Sequence, residues 1–126
     1  MVTHVINFRA PGTKLKVECR IYPSQREMLR AIRKDRIGGI ANDTMAYCAT
    51  QRARMPAGKA AIIYFSKTHL TRGIVAHEMI HATLAILARQ KVRSVPCTTE
   101  DAPDVEERLA GLAGDLVDEF YKRYGL

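Results

Sequence analysis

Short stretches in which polar and apolar residues alternate open the chain and predict a pair of β-strands. They cover residues 3–8 and 14–22, and the intervening Ala-Pro-Gly-Thr is typical of a turn. Two later stretches, residues 44–50 and 59–66, are short and apolar, and they predict two further strands. The Arg-Met-Pro-Ala-Gly between them indicates a second turn.

Helical periodicity appears in three other places. In residues 24–35 an apolar stripe follows Ser24, which suits an N-cap, and Glu27 occupies the position of a capping box. Residues 71–90 form a second predicted helix, and residues 105–124 form a third with a leucine-rich stripe. The order β-β-α-β-β-α-α predicts a single α+β domain spanning residues 1–126, with one mixed or antiparallel sheet of about four strands packed against three helices.

Composition agrees with one domain of ordinary size. The chain has 126 residues, of which 47% are hydrophobic and 26% are charged. No basic and apolar leader precedes the first strand, and the apolar stretch in the seventies and eighties is too short to cross a bilayer. The three cysteines are widely spaced and indicate reduced thiols. We therefore expect a cytoplasmic protein without a membrane partner.

The net charge of +7 is unevenly distributed, because residues 1–99 carry the basic excess and residues 100–126 are acidic. A basic body can bind nucleic acid, although a solvated basic surface is the alternative when no nucleic-acid motif is present. The predicted first helix would supply that surface. Its basic residues are Arg26, Arg30, Arg33, Lys34 and Arg36.

The second predicted helix carries three ionisable residues in an otherwise apolar centre: His77, Glu78 and His81. Residues four apart project from one face of a helix, so the two imidazoles are neighbours. This His-Glu-x-x-His spacing suits two ligands of Zn²⁺ with an adjacent carboxylate as general base. The alternative is a hydrogen-bonded polar pocket in the core. Two histidines and a carboxylate could also hold Fe, Mn or Co.

A zinc site normally takes a third protein ligand, and the acidic residues downstream are the candidates. In the last helix Glu107, Ala110, Gly111 and Gly114 form a stripe of small residues beside the leucines. Interior glycines suggest close approach of another helix, which would bring Glu107 to the histidines. Glu106 lies nearer the leucine face and is the second choice. Cys97, Asp101 and Asp104 stay open as further candidates.

The segments Ala-His-Glu-Met-Ile-His-Ala-Thr-Leu and Val-Glu-Glu-Arg-Leu-Ala-Gly-Leu-Ala-Gly-Asp resemble the zincin metallopeptidases. They are closer still to the small proteins of this kind found in phage and prophage genomes. The resemblance covers roughly residues 60–120 and implies a small zincin-like fold. It implies His77, His81 and Glu107 as zinc ligands and Glu78 as general base. In larger members an aspartate follows the third ligand by four residues, whereas this chain has Gly111.

These patterns predict a zinc metallopeptidase in which Glu78 activates a zinc-bound water to hydrolyse a peptide or protein substrate. A peptide is expected to add to the edge of the strand formed by residues 59–66. Tyr64, His69 and Tyr121 are open candidates for the oxyanion donor. The second hypothesis is a non-catalytic metal-containing regulatory module of phage or prophage origin that binds nucleic acid. The substrate and the oligomeric state do not follow from the sequence.

Overall fold

The computed structural model describes residues 2–35, 37–51, 55–90 and 102–125, with side chains of the last range described from residue 107 onward. The helices and strands follow one another in the predicted order. They are β1 His4–Arg9, β2 Lys16–Tyr22, α1 Gln25–Lys34, β3 Ala46–Ala49, β4 Lys59–Ser66, a 3₁₀ turn Lys67–His69, α2 Arg72–Arg89 and α3 Ala102–Tyr124. The prediction of an α+β domain with a four-stranded sheet and three helices is confirmed.

The sheet is mixed, with the strand order β1-β2-β4-β3. β1 and β2 pair antiparallel, as their short connection requires, whereas β2 and β4 pair in parallel across the crossover made by α1. β3 pairs antiparallel with β4 on its other side. Residues 59–66 were predicted to present a free edge to a peptide. That prediction is wrong, because β4 lies between β2 and β3. Among the described strands, β3 occupies the edge nearest to it.

The two faces of the sheet hold two apolar cores. Side chains alternate along β4, so Ala61, Ile63 and Phe65 face one side and Ile62 and Tyr64 face the other. The first set packs against α2 and α3. The second set packs against α1.

Local sequence explains where the first two helices begin. The Ser24 side chain accepts a hydrogen bond from the Glu27 amide, and the Thr71 side chain accepts one from the Ile74 amide. Each satisfies a backbone donor that lacks a helical partner. The predicted cap of α1 is confirmed, and Thr71 fixes the register from which the residues of α2 project.

In α3 the leucine-rich stripe packs as predicted, with Leu116 and Phe120 fully buried in the core. The stripe of small residues does not pack against another helix. Gly111 and Gly114 are exposed, and a β-carbon added at either would meet nothing within 4 Å. The expectation that these glycines mark the approach of another helix is wrong. No helix in the described ranges is long and apolar enough to cross a membrane.

Candidate metal centre

His77 and His81 lie on consecutive turns of α2 and point toward each other. Their Nε2 atoms are 3.3 Å apart, and the ring centroids are 5.0 Å apart with the planes at 70°. Both side chains are exposed, and that of His77 is 69% exposed. The alternative of a polar pocket inside the core therefore does not apply to the two imidazoles.

Glu78 is placed differently, because its side chain is only 7% exposed. Its Oε1 lies 4.0 Å from His77 Nε2, and its Oε2 is buried with no hydrogen-bond partner among the described residues. Burial raises the pKa of this carboxyl, and the nearby His81 and His77 partly oppose that rise. A buried carboxylate oxygen without a partner is costly to keep, which is characteristic of a functional position.

The three side chains open into a cleft of about 420 Å³, called here the histidine cleft. Its opposite wall is the segment from Gly39 to Thr44 together with β3. From β3, Tyr47 and Cys48 line the cleft, and neither was predicted as a site residue. The Tyr47 ring itself packs against Tyr64 on the opposite face of the sheet. Burial, and to a lesser degree Glu78, raises the pKa of the Cys48 thiol. The sequence offered no sign of either, because they reach the site only through the pairing of β3 with β4.

The donor geometry fits one tetrahedral metal ion. Two nitrogens bound at about 2.0–2.1 Å with a tetrahedral angle between them are separated by about 3.3–3.4 Å. The observed separation of 3.3 Å matches, and the nearest ligand atoms of His77, Glu78 and His81 all lie within 4.8 Å of one another. Within the described ranges this is the one group of three His, Cys, Asp or Glu side chains so arranged. The donor set suits zinc and several other divalent metals.

Glu107, the predicted third ligand, lies outside the histidine cleft. It is exposed and lines a separate depression with Leu87, Gln90 and the turn at Gly12. It is not among the residues that line the histidine cleft. The structure therefore does not bring Glu107 to the two histidines.

The docking of α3 explains this separation. Arg108 of α3 donates a hydrogen bond to Gln90 at 3.0 Å, and Arg72 lies over the Tyr121 ring at 5.7 Å. At about 100° per residue, Gln90 lies about 180° around α2 from His81, and Arg72 lies about 140° from His77. Helix α3 thus packs on the flank of α2 that faces away from the imidazoles.

The side chains of the remaining ligand candidates lie outside the part of the chain that the structure describes. Cys97 and Asp101 are not among the described residues, and the side chains of Asp104 and Glu106 are not described either. A third ligand from this stretch stays a prediction. In the described part of the chain, the two histidines and Glu78 are what the structure brings together.

None of the three residues considered as oxyanion donors lines the histidine cleft. Tyr64 lies on the opposite face of the sheet and donates its hydroxyl proton to Asp35. The ring of His69 contacts Thr68 in the 3₁₀ turn. Tyr121 of α3 contacts the Phe120 ring, and Arg72 of α2 lies over it. Tyr47 borders the cleft, but its ring packs against Tyr64 on the opposite face of the sheet.

Helix α1 carries the basic surface proposed to bind nucleic acid. Arg26, Arg30, Arg33 and Lys34 are exposed, while Arg36 lies outside the described residues. Arg33 donates a hydrogen bond to Asn42 and Arg30 lies 3.6 Å from Glu27, so part of this charge is used within the fold. Nucleic-acid binding stays a prediction.

Comparison of the chain with protein-family models, with curated proteins and with solved structures finds no match.

Proposed function

We propose that this protein is a metal-dependent peptide hydrolase, with zinc as the expected ion. His77 and His81 hold the metal through Nε2, and Glu78 is the general base. The observation that carries the proposal is the convergence of two imidazole nitrogens, 3.3 Å apart, beside a buried carboxylate oxygen that has no partner among the described residues. A packing role does not account for this oxygen, because a buried polar atom in a packing role is normally paired.

The bound ion would supply Lewis-acid polarisation of the scissile carbonyl and a lower pKa for water at the site. Glu78 moves the proton: its carboxylate accepts a proton from the attacking water and then gives it to the leaving amine. Its position on the helix, one residue after His77, keeps the carboxylate 4.0 Å from the nearest ligand nitrogen. That spacing lets it work beside the metal ligands.

The peptide is proposed to bind along β3. This strand is the sheet edge beside the histidine cleft, and its residues Ala46, Tyr47 and Cys48 line that cleft. An extended peptide can add to such an edge through main-chain hydrogen bonds. The same geometry favours β3 over β4, which has strands on both sides.

Tyr47 does not supply an oxyanion donor in this proposal, because its ring packs against Tyr64 on the face of the sheet away from the metal. Polarisation of the scissile carbonyl would therefore fall to the bound ion.

Hydrolysis of a denatured protein tests the proposal. The zinc-loaded protein is expected to cleave denatured casein, and Glu78→Gln to bind zinc equally well while cleaving about 10³-fold more slowly. Glu119→Gln on α3 is the matched control, because Glu119 contacts Arg123 and not the cleft. Cleavage that survives in Glu78→Gln would show that the activity belongs to a contaminant or to another site.

A zinc-loaded protein that cleaves neither casein nor a peptide library would instead favour the regulatory module. Nucleic-acid binding by the exposed arginines of α1 would then be measured as a function of salt. Contacts with phosphates require affinity to fall steeply as salt rises. Arg26→Ala and Arg30→Ala together would weaken that binding if α1 is the surface.

A further inference from the structure

A second cavity lies on the opposite face of the sheet, between β3, β4 and the end of α1. Its volume is about 400 Å³, and we call it the tyrosine cavity. Its lining includes the residues Arg20, Asp35, Tyr47, Ala49, Met55 and Tyr64. Nothing in the proposed hydrolysis uses it.

The tyrosine cavity and the histidine cleft meet at the edge of the sheet. Tyr47 lines both of them. The segment after α1 does the same, because Gly38 lines the tyrosine cavity and the next residue, Gly39, lines the histidine cleft. A chain lying along this edge is therefore within reach of both.

Strand geometry determines how a peptide would use the two cavities. Successive side chains of an extended chain point to opposite faces of the sheet that it joins. On β3 itself, Cys48 reaches the histidine cleft and Ala49 reaches the tyrosine cavity. A peptide added beside β3 would follow the same alternation. If one of its side chains points to the metal side, its neighbour points to the tyrosine cavity.

The walls of the tyrosine cavity favour an aromatic side chain. The Tyr47 and Tyr64 rings have centroids 6.5 Å apart and planes at 45°, and Met55 and Ile62 complete an apolar lining. Tilted rings at such distances and a thioether both make favourable contacts with another ring. The cavity is thus suited to a flat apolar group rather than to a flexible charged chain.

One wall is polar but not strongly charged. Arg20 and Asp35 contact each other at 3.2 Å, and their side chains remain 28% and 41% exposed. Because the two charges offset each other, the pair offers a donor and an acceptor without a net field. A phenol hydroxyl can bond to either, whereas a carboxylate or an ammonium would face one group of its own sign.

We infer that the tyrosine cavity is the specificity pocket of the proposed peptidase and receives an aromatic side chain, tyrosine above all, from the peptide bound at the histidine cleft. The inference rests on the proposed function for the position of the scissile bond. The aromatic residue therefore lies within about two residues of that bond, at one fixed position.

Occupancy of the cavity is tested without any catalysis, using p-cresol as the side-chain analogue. Titration followed by NMR is expected to shift the methyl signals of Met55 and Ile62. Ala49→Phe fills the cavity from β3 and should weaken p-cresol binding at least 10-fold, and Ala49→Val serves as a milder filling variant. Ala110→Phe is the matched control, because Ala110 is exposed on α3. Equal binding of p-cresol by all four proteins would overturn the inference.

Cleavage separates this inference from the proposed function. On a peptide library the zinc-loaded protein should prefer tyrosine or phenylalanine at one position near the cut by at least 10-fold. In Ala49→Phe the ratio of tyrosine-peptide to alanine-peptide cleavage should fall toward one. Cleavage with no aromatic preference, or with one that Ala49→Phe retains, overturns the pocket and leaves the hydrolase standing. If nothing is cleaved, the hydrolase fails. The pocket is then tested by peptide binding alone. Wild type should bind Ala-Ala-Tyr-Ala-Ala more tightly than Ala-Ala-Lys-Ala-Ala, and Ala49→Phe should bind the two peptides equally. Equal binding of the two peptides by wild type would overturn the pocket.

Discussion

His77 and His81 present their Nε2 atoms to each other across 3.3 Å on one exposed face of α2. Two arrangements satisfy such a pair. One ring can donate a proton to the other in a hydrogen bond, or both can bind the same ion with their lone pairs. Metal binding uses the Nε2 lone pair of both neutral rings, so the ring that donates in the hydrogen bond would have to carry its proton on Nδ1 instead.

The first prediction concerns the two imidazoles. Replacing either His77 or His81 by alanine is expected to lower zinc affinity by more than about 100-fold, since each supplies one of few protein ligands. Zinc affinity is measured by competition with a chelator. His4→Ala and His69→Ala are the controls, because both lie outside the cleft. Zinc retained at full affinity after both cleft histidines are removed would exclude this site.

The second prediction concerns Glu78 in the metal-free protein. Its buried Oε2 has no hydrogen-bond partner in the described part of the chain, so the neutral glutamine should be easier to bury than the carboxylate. We expect Glu78→Gln to raise the free energy of unfolding of the metal-free protein by about 1 kcal/mol, measured by urea denaturation. A destabilised variant would show that the carboxylate makes contacts that stabilise the fold. Burial of Oε2 would then no longer support a functional role for Glu78.

The sequence predicted those features that depend on neighbours along the chain. Alternation predicted the first two strands, short apolar stretches predicted the other two, and the four-residue spacing predicted the facing imidazoles. The position of β4 between β2 and β3 depends on pairing across long separations, and so does the position of Cys48 at the histidine cleft. Glu107 was assigned from a stripe of glycines that the structure leaves exposed, whereas Leu116 and Phe120 are the residues of α3 that pack in the core.

The third prediction follows from that docking. Because Glu107 lies with Gln90 on the far flank of α2, Glu107→Gln should leave zinc affinity unchanged within about 2-fold. Glu106→Gln provides the comparison, since it exchanges the same groups one residue earlier. A large loss in Glu107→Gln would mean that α3 shifts when metal binds. A loss in Glu106→Gln alone would instead identify the third ligand.

The fourth prediction concerns the hydroxyl of Tyr47. Its ring lies against Tyr64 on the face of the sheet away from the metal, so Tyr47→Phe should leave kcat within about 3-fold of wild type. The preference for an aromatic residue should persist, because the ring remains in the tyrosine cavity. Tyr124→Phe on α3 is the control. A fall of about 100-fold in kcat would instead identify the phenol as an oxyanion donor.

The fifth prediction concerns a charge cluster on the α1 side of the sheet. Glu18 is buried and accepts hydrogen bonds from Lys59 and Arg20. Burial by itself raises the pKa of the Glu18 carboxyl, but the bonds from Lys59 and Arg20 outweigh burial and hold the pKa below its ordinary value of 4.5. Folding therefore favours the ionised form of this group.

A group whose pKa is lowered by folding stabilises the fold above its unfolded pKa and loses that contribution as pH falls through the folded value. Glu18→Gln should therefore be less stable than wild type at pH 7, by about 1–3 kcal/mol, and the gap should narrow below about pH 4.5. Urea denaturation of both proteins from pH 7 to pH 3 measures this gap. Glu119→Gln, at an exposed pair, should follow wild type closely. A gap that stays constant with pH would mean that Glu18 contributes through packing rather than through its charge.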